Sequence, residues 1–253
     1  MTHYKRLTLA TAVALATASA HAAPVFWTDW TGGDLDAGSG FQAQGTITTS
    51  TSSVTVTYTN ANGIGFYQPS GGTDYWVNRN SGRDDSISPY TSAQVDNSPT
   101  GTDIIALRYA GTQTLQFSQS IANPVFGFVS LNGNGYAFDQ DFEIVSAGGA
   151  DGNACGYWGC GTSYKNVVDL GGGVFEYQLL GTGEPHGTLR FTGAFDTVSW
   201  RSLSSENWNG FTVGVQGTAI EVFPPNPSAL PEPTTLALLG LSLAGLSFTR
   251  RRA

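Results

Sequence analysis

From residue 23 to residue 222 the chain never repeats its apolar residues at helical spacing; it alternates them or masses them in short runs. That pattern commits it to strands. Residues 46–58 include Val54-Thr55-Val56-Thr57-Tyr58, the period-two signature of a strand with one buried face. Residues 104–109 and 112–117 flank Ala110-Gly111, which reads as a hairpin. Residues 125–131 are nearly all apolar and predict a central strand, closed by the turn signal Asn132-Gly133-Asn134-Gly135. Further strands are expected over 138–145, 174–180, 188–192, 197–203, 211–215 and 219–222, with a Gly-rich loop carrying both cysteines between the first two. About ten to twelve short strands joined by Gly/Asn turns predict an all-β fold, a single jelly-roll-like β-sandwich. Val198, Trp200, Phe211, Val213 and Val215 are expected to face its core. Abundant Gly, Thr, Ser, Val and aromatics, with few Lys and Glu, point the same way. No internal repeat runs at a fixed period.

The two ends read differently. Lys5 and Arg6 precede an apolar stretch over 7–18, and Ala20-His21-Ala22 supplies a small-x-small cleavage site. This is the layout of a secretory signal peptide, a helix over residues 1–22. Residues 23–222 are then the ectodomain, 223–229 a Pro-rich linker, extended and semi-rigid, and 230–253 a tail with a short hydrophobic helix. Residues 234–248 carry no charge but number only 15, against roughly 17 to 25 for a full bilayer span. Tilting or local thinning would let residues 230–249 serve as a transmembrane helix. Arg250, Arg251 and Arg252 would hold its far end on the cytoplasmic side, leaving the body outside.

Leu230-Pro231-Glu232-Pro233, the apolar helix and the terminal arginines together resemble a PEP-CTERM sorting tail. That resemblance implies export by a Gram-negative bacterium that makes extracellular polysaccharide. It also implies processing at Pro231, Glu232 and Pro233 by exosortase, a membrane protease. Many such tails have Val where this chain has Leu230. The opening Leu-Pro-Glu is shared with the Gram-positive sortase signal, but Pro233-Thr234 does not supply the Thr-Gly that signal needs. The stretches 193–200 and 208–215 resemble a strand pair that recurs in ectodomains with this tail, and those ectodomains have no assigned chemistry.

The segment 23–229 holds six basic and eighteen acidic side chains, a net charge of −12. Such a surface repels nucleic acid and anionic lipid and suits a secreted, soluble body. Cys155 and Cys160 enclose Gly-Tyr-Trp-Gly. In an exported chain that spacing reads as a disulfide worth about 2 kcal/mol. A zinc site would need two more ligands, and this segment offers only His186.

No cofactor motif emerges. Gly-x-Ser-x-Gly, a phosphate-binding loop and an EF-hand calcium loop do not occur. His186, in Gly183-Glu184-Pro185-His186-Gly187, reads as an exposed turn residue. The strongest catalytic pattern is Asp139-Gln140-Asp141-Phe142-Glu143. On one strand its acids would share a face at about 7 Å spacing, with Phe138, Phe142 and Ile144 opposite in the core. The triplet partly resembles the acidic strand of jelly-roll β-glucanases, which usually begin it with Glu rather than Asp139. Retaining glycosidases hold their carboxylates about 5 to 5.5 Å apart. The same acids would also suit a structural Ca²⁺ or a plain outward polar face. Trp27, Trp30, Tyr75, Trp76, Tyr157, Trp158 and Trp208 lie beside Gly, Asp or Asn, where aromatic faces stack on sugars. The chain therefore reads as an exported, non-enzymatic cell-surface or extracellular-matrix protein. Its expected partners are the export machinery and exosortase. Exopolysaccharide binding at Asp139, Asp141, Glu143, Trp158 and Trp208 is one role for its body and passive structure another. The alternative is a glycoside hydrolase using Asp139, Asp141 and Glu143.

Overall fold

The computed structural model describes residues 23–33, 38–79, 82–147 and 155–225. The signal segment, the sorting motif and the apolar run over 234–248 lie outside the described residues. Among the described residues no helix is long and apolar enough to cross a membrane.

Sixteen strands are described. The first eight are β1 (Phe26–Trp27), β2 (Asp29–Gly33), β3 (Phe41–Thr48), β4 (Ser53–Asn60), β5 (Phe66–Gln68), β6 (Ile104–Leu107), β7 (Gly111–Ala122) and β8 (Val125–Val129). There follow β9 (Tyr136–Phe138), β10 (Phe142–Ala147), β11 (Gly161–Gly171), β12 (Val174–Gly183), β13 (Gly187–Phe191), β14 (Ala194–Ser202), β15 (Asn209–Val215) and β16 (Gly217–Thr218). They form two antiparallel sheets. The seven-stranded sheet runs β10-β13-β8-β15-β6-β5, with β1 also on β15. The nine-stranded sheet runs β11-β12-β9-β14-β7-β4-β3-β2, with β16 also on β7. From β6 to β11, and again from β12 to β16, every connection crosses from one sheet to the other. The two sheets face one another as a β-sandwich.

Three local expectations are corrected. Residues 104–117 are not a hairpin: β6 pairs with β5 and β15, whereas β7 pairs with β4 and β14 in the other sheet. Side chains from elsewhere satisfy the backbone at that crossing. Asn62 Nδ2 donates to the Ala110 carbonyl at 2.8 Å, and the Ala110 amide donates to Ser205 Oγ at 3.0 Å. Residues 219–222 are not a strand but a helical turn, α1 (Ala219–Val222). Thr218 and Glu221 form a capping box there, a signal present in the sequence as Thr-x-x-Glu. Glu221 also accepts from Thr49 Oγ1 at 2.7 Å and the Thr51 amide at 3.0 Å, tying α1 to the turn between β3 and β4. The stretch after the cysteines is not loop but strand β11. Both of its faces are largely exposed, so no alternation of buried and exposed residues marks it, and pairing with β12 defines it.

The core forms where the inner faces meet. Val198 and Trp200 of β14 and Phe211, Val213 and Val215 of β15 are buried, as the alternation requires. Trp200 packs edge-on against Phe126 of the opposite sheet, with ring centroids 5.2 Å apart, and against Phe211 at 5.0 Å. Phe126 also meets Phe138 at 5.8 Å and Phe191 at 5.7 Å.

Replacing Phe126 by alanine is therefore expected to cost about 3 to 5 kcal/mol, the range for a large aromatic lost from a packed core. Ile220→Ala, at a side chain 73 % exposed, should stay within about 0.5 kcal/mol. Urea unfolding of both variants reads this directly, and a loss under about 1 kcal/mol for Phe126→Ala would contradict the packing.

Candidate functional site

Four separate segments bring aromatic rings to one place at the surface. Phe66 comes from β5, Tyr75 from the loop between β5 and β6, Tyr157 and Trp158 from the disulfide loop, and Trp208 from the approach to β15. Tyr75 meets Trp208 at 5.0 Å and Tyr157 at 5.0 Å; Tyr157 meets Trp158 at 4.9 Å. Phe66 packs on Trp208 at 5.2 Å, and Trp158 closes the ring at 6.2 Å from Trp208. Nearly all of these contacts are edge-to-face. Trp158 is 48 % exposed and the other four are half-buried.

The loop that carries Tyr157 and Trp158 is pinned on several sides. Cys155 and Cys160 form the expected disulfide, with Cα atoms 4.4 Å apart. Arg79 Nη1 donates to the Trp158 carbonyl at 2.8 Å, and the Arg79 amide to the Cys155 carbonyl at 3.2 Å. The Glu184 amide donates to the Cys160 carbonyl at 3.1 Å. His186 is not the exposed turn residue expected; it is buried, with 1 % of its surface accessible. Its Nε2 accepts from the Gly156 amide at 2.8 Å, so the ring proton sits on Nδ1, which donates to the Glu184 carbonyl at 2.7 Å. A β-carbon at Gly156 would fall 2.7 Å from His186 Cγ, so only glycine lets the loop seat on this ring.

Two carboxylates flank the aromatic cluster. Glu184 accepts from Ser130 Oγ at 2.8 Å and Asn132 Nδ2 at 2.6 Å. Glu206 lies two residues before Trp208 and accepts from Asn209 Nδ2, while the Asn209 Oδ1 accepts from the buried Tyr136 hydroxyl. Burial pushes the Glu206 carboxyl up to about 7. The Asn209 hydrogen bond pulls it down, and the charge of Glu184 raises it further. Burial first, and then the charge of Glu206, raise the Tyr136 hydroxyl well above its ordinary value.

Of the residues singled out in the sequence, the structure brings Tyr75, Tyr157, Trp158 and Trp208 together. It does not bring Asp139, Asp141 and Glu143 to them, nor place those three on one strand. β9 ends at Phe138 in the nine-stranded sheet and β10 begins at Phe142 in the seven-stranded one, so Asp139 and Asp141 sit on the crossing between sheets. All three acids are exposed, with Phe138 and Phe142 buried beside them. Lys165 Nζ donates to Asp141 at 2.8 Å and Arg190 Nη2 to Glu143 at 2.9 Å. Among the described residues no group of three or more His, Cys, Asp or Glu side chains is placed to hold a metal ion. Trp27, Trp30 and Trp76 are buried and serve the packing. Phe66, Glu184, Glu206 and Arg79 escaped the sequence reading, because nothing local in the sequence links them to Trp158.

Residues 229–252 match the family model of the PEP-CTERM protein-sorting motif. This is a PEP-CTERM protein. The motif makes it an exported protein sorted by exosortase, a membrane protein, to the cell envelope or the extracellular space. No curated protein and no solved structure matches the chain. The aromatic cluster lies on the β-sandwich, outside the residues the family model covers.

Glu206 gives a pH signature. Its folded pKa stands above the unfolded value, so the folded state binds more protons between about pH 4.5 and 7. Stability should therefore fall as pH rises through that window and level off above it. Glu206→Gln should flatten that part of the melting-temperature profile. An unchanged slope between pH 5 and 7 in the variant would rule out the raised carboxyl.

Proposed function

We propose that this PEP-CTERM protein is a non-enzymatic component of the cell surface or extracellular matrix whose ectodomain binds exopolysaccharide through its aromatic cluster. The observation that carries the reading is the exposed Trp158 side chain in a loop held by a disulfide and by His186. Sugar rings present C–H faces that stack on aromatics, and a preformed platform spends little ordering entropy on capture. Glu184, Glu206 and Asn132 supply polar atoms at its margin for hydroxyl groups. The acidic body, at −12 over residues 23–229, favours neutral over anionic chains at this site. In this reading the tail over 230–253 holds the ectodomain at the membrane until exosortase acts. Against the glycoside-hydrolase alternative stands the separation of Asp139 and Asp141 from β10, which carries Glu143, and the ion pairs that engage Asp141 and Glu143.

Two measurements test the two halves of the proposal. Binding of the exported chain to neutral bacterial polysaccharide should weaken about 3- to 10-fold in Trp158→Ala and again in Trp208→Ala, from an aromatic contact of about 0.5 to 1.5 kcal/mol each. Unaltered binding in both, or release of reducing ends from the polysaccharide, would defeat the binding reading. For the tail, replacing Pro231, Glu232 and Pro233 together by alanine should abolish processing in a host that carries exosortase. Normal processing of that variant would defeat the sorting assignment.

A further inference from the structure

Three of the four outer strands of the two sheets are poor templates for another chain. β5 has three residues. β2 has five, with an irregularity between Trp30 and Gly32. β10 has six, with a register shift between Ile144 and Ser146. Short or bulged edges of this kind discourage strand addition. The fourth, β11, is different. It has eleven residues, contains no proline, and keeps a regular register with β12 from Gly161 to Asp169. Among the described residues no strand pairs with its outer side, although β10 approaches it at Lys165. It also carries exposed apolar side chains: Tyr164, Val167 and Leu170 are 50, 49 and 60 % accessible.

We propose that β11 is a self-association edge, which pairs antiparallel with β11 of a second copy about a two-fold axis through Val167. The charges on the strand select that partner and that register. With Val167 opposite its own copy, Lys165 lies opposite Asp169 on both sides of the axis, within the regular part of the strand. Moving the axis to residue 165 sets Lys165 against Lys165, and moving it to residue 169 sets Asp169 against Asp169. Axes at 166 or 168 leave one charge facing Val167. Opposite charges in directly facing positions stabilise a sheet pair and like charges oppose it. Lys165 and Asp169 are the only charged residues in β11, so a single register satisfies both. Lys165 already pairs with Asp141 and the Phe142 carbonyl on its own molecule, and in the dimer its ammonium is shared with Asp169 of the second copy. Because a two-fold pairing uses the same strand from each copy, the assembly closes as a dimer and the edge is consumed.

Cysteine cross-linking of the full exported chain, signal and tail included, tests the register. Under mild oxidation Val167→Cys should give a disulfide-linked dimer on a non-reducing gel, since the axis brings the two 167 positions face to face. Asn166→Cys alone should give at least 10-fold less, because residue 166 faces 168 of the second copy. Co-expressed Asn166→Cys and Val168→Cys chains should cross-link to each other. Equal cross-linking at all three positions would mean collision rather than pairing, and no cross-link at 167 would mean that β11 meets another partner or none; either outcome overturns the proposal. In the Val167→Cys background, Lys165→Asp should reduce the dimer and adding Asp169→Lys should restore it. Indistinguishable dimer fractions in the single and double variants would overturn the charge pairing.

Discussion

The packing of Trp200 against Phe126 and Phe211 is the contact on which the rest of the molecule depends. It joins the two sheets, with Trp200 from the nine-stranded one packed between Phe126 and Phe211 of the other. The cost is visible at the same residue: the Trp200 Nε1 is buried without a hydrogen-bond partner among the described residues. A buried, unpaired indole N–H opposes folding by about 1 to 3 kcal/mol. Its retention shows that area and shape outweigh one unmet hydrogen bond here. Around it the polar needs of the core are met. The Tyr58 hydroxyl donates to Gln113 Oε1 at 2.8 Å, and Gln113 Nε2 donates to Ser202 Oγ at 2.6 Å.

A rigid sandwich lets loops carry recognition without collapsing onto it. The disulfide loop shows how. The covalent link closes only a few residues, so its contribution to global stability is small. Orientation comes from His186, Arg79 and Glu184, each reaching the loop backbone from a different direction. The result is a fixed aromatic surface in which Trp158 is presented rather than buried. Glu206 lies beside it in a partly desolvated place, and that burial first, with the charge of Glu184 after it, raises its carboxyl to about 7.

The same scaffold decides which edges stay open. β5 is three residues long, and β2 and β10 carry irregularities within their ladders. The hairpin of β11 and β12 is the one consecutive pair after β6 that stays within a sheet, and so it extends beyond the core. Among the described residues no strand pairs with its outer side, where Tyr164, Val167 and Leu170 are exposed and Lys165 reaches back to Asp141.

The strand class, the burial of Val198, Trp200, Phe211, Val213 and Val215, the cysteine pair and the export signature were all legible in the residues themselves. Each depends on neighbours close in sequence: alternation, a short Cys spacing, a motif before an apolar run. Other features were not local. Ala110-Gly111 looks like a hairpin turn, yet Asn62 and Ser205 draw the chain across to the other sheet. His186 looks like a surface residue until Gly156 is placed against it. Asp139, Asp141 and Glu143 read as one strand because sequence records spacing but not the point at which a chain changes sheets. Trp158 and Trp208 are 50 residues apart in the chain, and only the meeting of four segments makes them, with Tyr75 and Glu206, one surface. Local pattern determined what this chain is made of and where it is sent; long-range packing, which no short window of sequence contains, decided which side chains stand together.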